Sequence, residues 1–321
     1  MNIHLTKSQI GLDGVPAAET ALSHVDGERG ELIIAGEHVG RLAAKSSFEG
    51  VTARLWNGAS KTALTEANVR ASLGAARDRA FARLDELLPA TKGLDPIAPD
   101  ATVSHAADTL RMLHGRAPAS REVTALDAYL VTASDHGMNA STFTARVVAS
   151  TQADLFAAVT AGYCALTGPL HGGAPEPVLE MLDAIGSRER IQPWVDAALA
   201  RGERMMGFGH RVYRVRDPRA DVLKTAVEAL ASNGTDLPFA GEVEAYIREA
   251  LRKKNPERPL ETNVEFFTAI LLDALAIPRQ AFTPIFAVAR SAGWTAHARE
   301  QQRTGRLIRP SSSYVGAMPE A

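Results

Sequence analysis

The apolar residues of this chain recur at helical spacing along most of its length. "ADLFAAVTAGYCALTG" (153–168) and "VLKTAVEALA" (222–231) show the pattern, and alanine, leucine, arginine and glutamate dominate the composition. The main exception is "GELIIAGEHVG" (30–40), a β-branched run bounded by glycines, which predicts a small hairpin before the helices begin. The expected fold is therefore all-α with a small N-terminal β-hairpin. At 321 residues, 45% of them hydrophobic, the chain can bury a sizeable core.

Charge and cysteine content narrow the function. Thirty-five Lys and Arg against 37 Asp and Glu leave a net charge of −2, so no global basic field points to nucleic acid or an anionic membrane. The start, "MNIHLTKSQIGLDG", lacks the apolar core of a signal peptide, and no stretch approaches the roughly 20 apolar residues of a membrane helix; a cytoplasmic location is expected. Cys164 is the only cysteine, which excludes an internal disulfide and multi-thiolate metal sites. Its setting in "FAAVTAGYCAL" (156–166) predicts a buried structural thiol.

Three histidines sit at element boundaries. His171 lies in "GPLHGGAP" (168–175), where Gly168 and Pro169 stop one helix and Glu176 and Pro177 suit the first turn of the next. His210 follows glycines in "MGFGHRVYRVRDPRADVLK" (206–224), and His136 precedes Gly137 in "SDHGMNAST" (134–142), with a helix cap expected at Asn139 or Ser141. The other six, His4, His24, His38, His105, His114 and His297, read as surface or packing residues. Zinc is not expected, because His136, His171 and His210 stand alone on separate turns without a local ligand pair. "GFG" (207–209) follows no parallel-strand pattern and gives little support to a phosphate loop. Two loops, 88–104 and 252–262, look variable and solvent-facing.

Three charged residues are out of place. Asp217 and Pro218 suit the cap and first turn of a helix, which puts Arg219 where a cation opposes the helix dipole unless an anion sits between it and the free N–H groups. Arg290, in the apolar "TPIFAVARSAGW" (283–294), must meet a carboxylate of the protein or of a ligand. Glu265, in "NVEFFTAILLDAL" (263–275), is either a favourable first-turn charge or a base whose apolar setting raises its pKa.

Taken in order, these stretches resemble the citrate synthase family. The N-terminal "GLDGVPAAETALSHVDGERGELIIAGEHV", the three histidine motifs, the Glu265 segment, "FTPIFAVARSAGWTAHAREQ" and "LIRPSSSYVG" together span nearly the whole chain. The resemblance implies an all-α fold of two domains, a large one (1–173 and 276–321) and a small one (174–275) that closes over substrate, in a homodimer. It implies condensation of acetyl-CoA with oxaloacetate and hydrolysis of citryl-CoA, with acetyl-CoA as substrate and no cofactor. Glu265 would take the methyl proton, His171 would hydrogen-bond the enol oxygen and His210 would polarise the oxaloacetate carbonyl. His136, Arg219 and Arg290 would hold oxaloacetate, Arg309 would reach the partner's site, and Arg214 would contact CoA phosphates.

This sequence departs from the family in two ways. Glutamate 265 stands where the family usually has aspartate, and the chain is compressed between about Gly58 and Gly115, where exposed apolar faces would favour a higher assembly. The alternatives are a 2-methylcitrate synthase using propionyl-CoA and a non-catalytic protein that binds CoA or dicarboxylates or serves assembly.

Overall fold

The computed structural model describes residues 12, 14–88, 95–168, 171, 175–230, 237–257, 260–311 and 316. Three short antiparallel strands come first: β1 (Ser23–Asp26), β2 (Glu31–Ile34) and β3 (Glu37–His38), in that spatial order. The expected hairpin is β2–β3. No alternating pattern marks β1, whose four residues are all partly or fully exposed, and it is recruited by pairing Ser23 to Ile34 through Asp26 to Glu31.

Helices make up the rest. They are α1 (Val39–Lys45), α2 (Phe48–Ser60), α3 (Glu66–Phe81), α4 (Leu84–Leu87), α5 (His105–His114), α6 (Ser120–Ala133), α7 (Ala140–Ser150) and α8 (Leu155–Leu166). After His171 come α9 (Pro175–Ile185), α10 (Ile191–Ala200), α11 (Pro218–Leu230), α12 (Leu237–Lys254), α13 (Val264–Ala274) and α14 (Phe282–Thr304). Side-chain caps set several starts: Ser47, Thr65, Ser104, Asn139, Asp154 and Asn263 each accept a backbone N–H of the first turn.

The long α14 is the central strut, packing on α2, α6, α7 and α8. A second group forms around α11 and α13, with α9 against α13 and α10 against α12. Contacts of α11 with α1 and α6 join the groups, and one continuous apolar core runs through both, from Leu22 and Leu55 to Phe266, Phe267 and Trp294.

Two expectations are corrected. Cys164 is exposed, because the inward stripe of α8 is Ala158, Gly162 and Leu166, leaving Phe156 (86% exposed), Tyr163 and Cys164 outside; apolar residues surround this helix on more than one face. The 252–262 segment is not wholly solvent-facing. Its first residues finish α12, and Thr262 is buried in an antiparallel bridge to Phe208.

The compressed region is closed by a buried carboxylate. Asp108 accepts from Arg77 Nε (2.7 Å), Arg111 Nη2 (2.7 Å) and the Asp100 amide (3.0 Å), tying α3, α5 and the preceding loop together.

Candidate active site

The His210 and Glu265 segments are woven together by backbone bonds. The Gly209 amide donates to the Glu261 carbonyl (2.8 Å), and the Asn263 amide to that of Gly207 (2.9 Å). The Asn263 side chain donates to the Gly209 carbonyl (2.8 Å) while its Oδ1 accepts the Glu265 amide (3.0 Å). Gly207 has φ +82°, and a Cβ there would lie 2.8 Å from Phe266 Cβ, so only glycine lets the loop cross α13 this closely. Glu265 is thereby fixed to the loop that carries His210.

The His210 tautomer follows from its partners. Nδ1 accepts two backbone amides, from Val212 (3.0 Å) and Tyr213 (3.1 Å), so the neutral ring carries its hydrogen on Nε2. Burial and the neighbouring Arg219 hold this imidazole down to about 4, which keeps it neutral at physiological pH. Nε2–H then points beside Arg219 Nη2, 3.4 Å away; two donors face the same space.

Arg219 is buried, and its anion is internal. Asp217 caps α11, accepting the Arg219 amide (3.0 Å) and the Val264 amide (3.1 Å), and takes the guanidinium at Nε (3.0 Å) and Nη2 (2.8 Å). The anion expected at this helix start is therefore the cap carboxylate itself, which satisfies the dipole and the cation together. The sequence marked Asp217 only as a cap. It is also what orients Arg219.

His136 is buried at the edge of the same cluster, with Nε2 3.1 Å from the Tyr213 hydroxyl and its ring 5.5 Å from that of His210. Burial, then the charges of Arg219, His210, Arg290 and His171, depress its pKa well below the usual histidine value. Arg290, 1% exposed, donates Nε–H to the Ala133 carbonyl (2.7 Å) and lies over Phe286. Among the described residues no ion pair holds it, which is the unmet condition the sequence had raised. Burial lowers it to about 10.

His171 is half-buried on its turn. Its Nε2 lies 2.8 Å from Ser141 Oγ, which also accepts Trp294 Nε1–H (3.1 Å), and burial followed by the Arg290 charge holds it to about 4. Ser141 is the α7 residue that fixes this ring; the sequence offered it only as a cap, and Asn139 is the cap. Pro169, Gly172 and Gly173 of the turn lie outside the described residues.

Glu265 completes the set. Burial raises its carboxyl to about 7; Arg219 pulls it down, Asp217 pushes it up and Arg290 pulls it down. The charges of Arg219 and Arg290 act on both Glu265 and His136, that of Arg219 also on His210, and that of Arg290 also on His171. A buried base, neutral imidazoles and buried guanidinium groups linked in this way can remove a proton from carbon and hold the anions on either side.

Two of the expected residues are exposed. Arg214 is exposed, its amide bonded to the Gly27 carbonyl (2.9 Å) and its Nε 3.9 Å from Glu28. Arg309 is exposed beside a cavity of about 630 Å³ walled by residues such as Ala17, Phe143 and Ile308; no member of the histidine cluster lines it. Among the described residues no group of His, Cys, Asp and Glu is arranged to hold a metal, and no helix is long and apolar enough to cross a membrane.

A family model, citrate synthase, C-terminal domain, matches residues 11–90 and 80–311. The chain belongs to the citrate synthase family. The citrate synthase of Haloferax volcanii is 36% identical over 95% of each chain. A putative citrate synthase 2 of Mycobacterium tuberculosis is 49% identical over 204 residues, 64% of this chain, which spans 54% of that relative's length. Crystallised citrate synthase of Thermotoga maritima shares the fold with a TM-score of 0.84 and 31% identity over 98% of both chains. That of Thermoplasma acidophilum, a ternary complex with carboxymethyl coenzyme A and oxaloacetate, gives 0.83 with 25% identity over 97% of both. The all-α fold is thus the citrate synthase fold. The family match is split at 80–90, inside the region the sequence reads as compressed, and the Haloferax alignment runs to 368 positions against 321 residues here.

Proposed function

We propose that this protein is a citrate synthase, condensing acetyl-CoA with oxaloacetate and hydrolysing citryl-CoA. The observation that carries the reading is the buried Glu265 carboxyl, raised to about 7 and fixed through Asn263 to the loop that carries a neutral His210. A thioester α-C–H is on the order of 15 pKa units weaker than a carboxylic acid, a gap of about 20 kcal/mol, so base and oxyanion donors must act together.

Glu265 takes the methyl proton. His171 hydrogen-bonds the enol oxygen. His210 Nε2–H polarises the ketone carbon that the enol attacks, and water then cleaves citryl-CoA. His136, Arg219 and Arg290 hold the oxaloacetate carboxylates, with Arg290 bringing an unpaired buried guanidinium suited to bidentate grip. Arg214, on the loop after His210, meets CoA phosphates. The small domain (174–275) swings from the large one (1–173 and 276–321) to admit substrate and closes over it. The reaction uses no cofactor and belongs in the cytoplasm.

The relatives reported above are named citrate synthases, which favours acetyl-CoA over the propionyl-CoA of a 2-methylcitrate synthase. Retention of the whole site counts against a non-catalytic binding or assembly protein. The deciding experiment is thiol release from acetyl-CoA and propionyl-CoA, with and without oxaloacetate, for the wild type and Glu265→Gln. Oxaloacetate-dependent release favouring acetyl-CoA, lost by at least about 10³-fold in the variant with oxaloacetate affinity kept, is expected. No release with either thioester would overturn the proposal.

A further inference from the structure

Behind the site lies a chain of buried charges that the chemistry above does not use. Asp135, His297, Arg146 and Glu300 are each at most 4% exposed. Arg146 Nη1 donates to Glu300 Oε2 (2.6 Å) and to His297 Nδ1 (2.9 Å), while its Nε donates to Gln301 Oε1 (2.9 Å). Arginine only donates, so His297 Nδ1 is the unprotonated nitrogen and its hydrogen is on Nε2. That Nε2 lies 3.2 Å from both oxygens of Asp135.

Asp135 is the residue before His136, and it is the first opposite charge acting on Arg290. Its carboxylate sits over Gly293, whose missing Cβ makes room for the Ser134 carbonyl and Asp135 Oδ1. The Ser23 side chain is a second hydrogen-bond partner of this carboxylate, beside His297. A buried carboxylate and a nearby buried guanidinium with no ion pair would ordinarily close on each other. They do not. Arg290, Gly293 and His297 fall on one face of α14, three and four residues apart, so the group that restrains Asp135 and the group it would capture share one rigid helix.

We infer that His297 is a positioning residue: its Nε2–H, fixed by Arg146, holds the Asp135 carboxylate back from Arg290 and so keeps that guanidinium free for an anionic substrate. Without this donor Asp135 turns to Arg290 and competes with the incoming carboxylate. The inference rests on the reading of Arg290 as an oxaloacetate ligand.

The test is oxaloacetate affinity by calorimetry, with KM for each substrate, on the full-length enzyme. His297→Leu and His297→Asn both remove the donor to Asp135; the asparagine keeps an acceptor for Arg146 and serves if the leucine variant does not fold. Both should bind oxaloacetate at least about tenfold more weakly with KM for acetyl-CoA within about twofold. His297→Gln, whose amide can accept from Arg146 and donate to Asp135, should restore affinity. Adding Asp135→Asn to His297→Asn should also recover most of it, because the competing charge is gone. Unchanged oxaloacetate affinity in the single variants, or a double variant no better than the single, overturns the inference. A wild type that turns over acetyl-CoA shows that the functional reading stands whichever way this falls; a wild type that neither binds oxaloacetate nor turns over defeats the functional reading itself.

Discussion

Glu265 carries one methylene more than the aspartate usual at this position in the family, and the structure shows how it is placed. Asn263 caps its helix and bonds the His210 loop, so the longer arm starts from a fixed backbone. Raised to about 7 by burial, the carboxyl is a stronger base than a free glutamate and is half protonated at neutral pH. Only the ionised form accepts a proton, so kcat/KM for acetyl-CoA should rise about tenfold per pH unit below about 7 and level off above it. The neutral forms of His171 and His210, both held to about 4, persist through that whole range and add no second limb above pH 5. A pH–rate profile flat between 5.5 and 8 would contradict this assignment of the base.

Among elements, the loop 207–217 and the start of α13 act as one unit. Phe208 bridges Thr262, Asp217 caps α11 while accepting the Val264 amide, and Gly207 passes over Phe266. Gly207→Ala puts a Cβ into a left-handed backbone and against Phe266, so the loop must shift relative to Glu265. A displacement of about 1 Å between base and carbonyl donor is expected to lower kcat by about 10²-fold, with global unfolding moved far less than for a core truncation. Urea unfolding beside steady-state kinetics separates the two; a normal kcat would show that the crossing is not what sets the geometry.

For the molecule as a whole, the exposed apolar face of α8 and the placement of Arg309 both suit a homodimer in which each subunit completes the other's site. Phe156 is 86% exposed beside Tyr163 on a helix whose other face is core. Arg309 lies outside its own chain's histidine cluster. Co-expression of Glu265→Gln and Arg309→Ala chains should therefore restore activity that each inactive homodimer lacks, since mixed dimers carry one site free of both changes. Failure to complement, with mixed dimers confirmed by mass, would place Arg309 in its own subunit's site. Leu87, Ile97 and Leu113 are exposed within the compressed region.

Helical spacing, glycine-flanked histidines and misplaced charges at 219, 265 and 290 are local features, so the sequence alone determined the helical class and the candidate residues His136, His171, His210, Arg219, Glu265 and Arg290. What it did not determine are properties of neighbours distant along the chain. Cys164 reads as core, but which face of a uniformly apolar helix turns inward depends on α7 and α14. Asp217 as the anion for Arg219, Ser141 as the support for His171, and His297 as the restraint on Asp135 were likewise decided by tertiary structure. A hydrogen bond fixes a tautomer or satisfies a buried charge only once folding has brought its two ends together, and no spacing within one segment records that meeting.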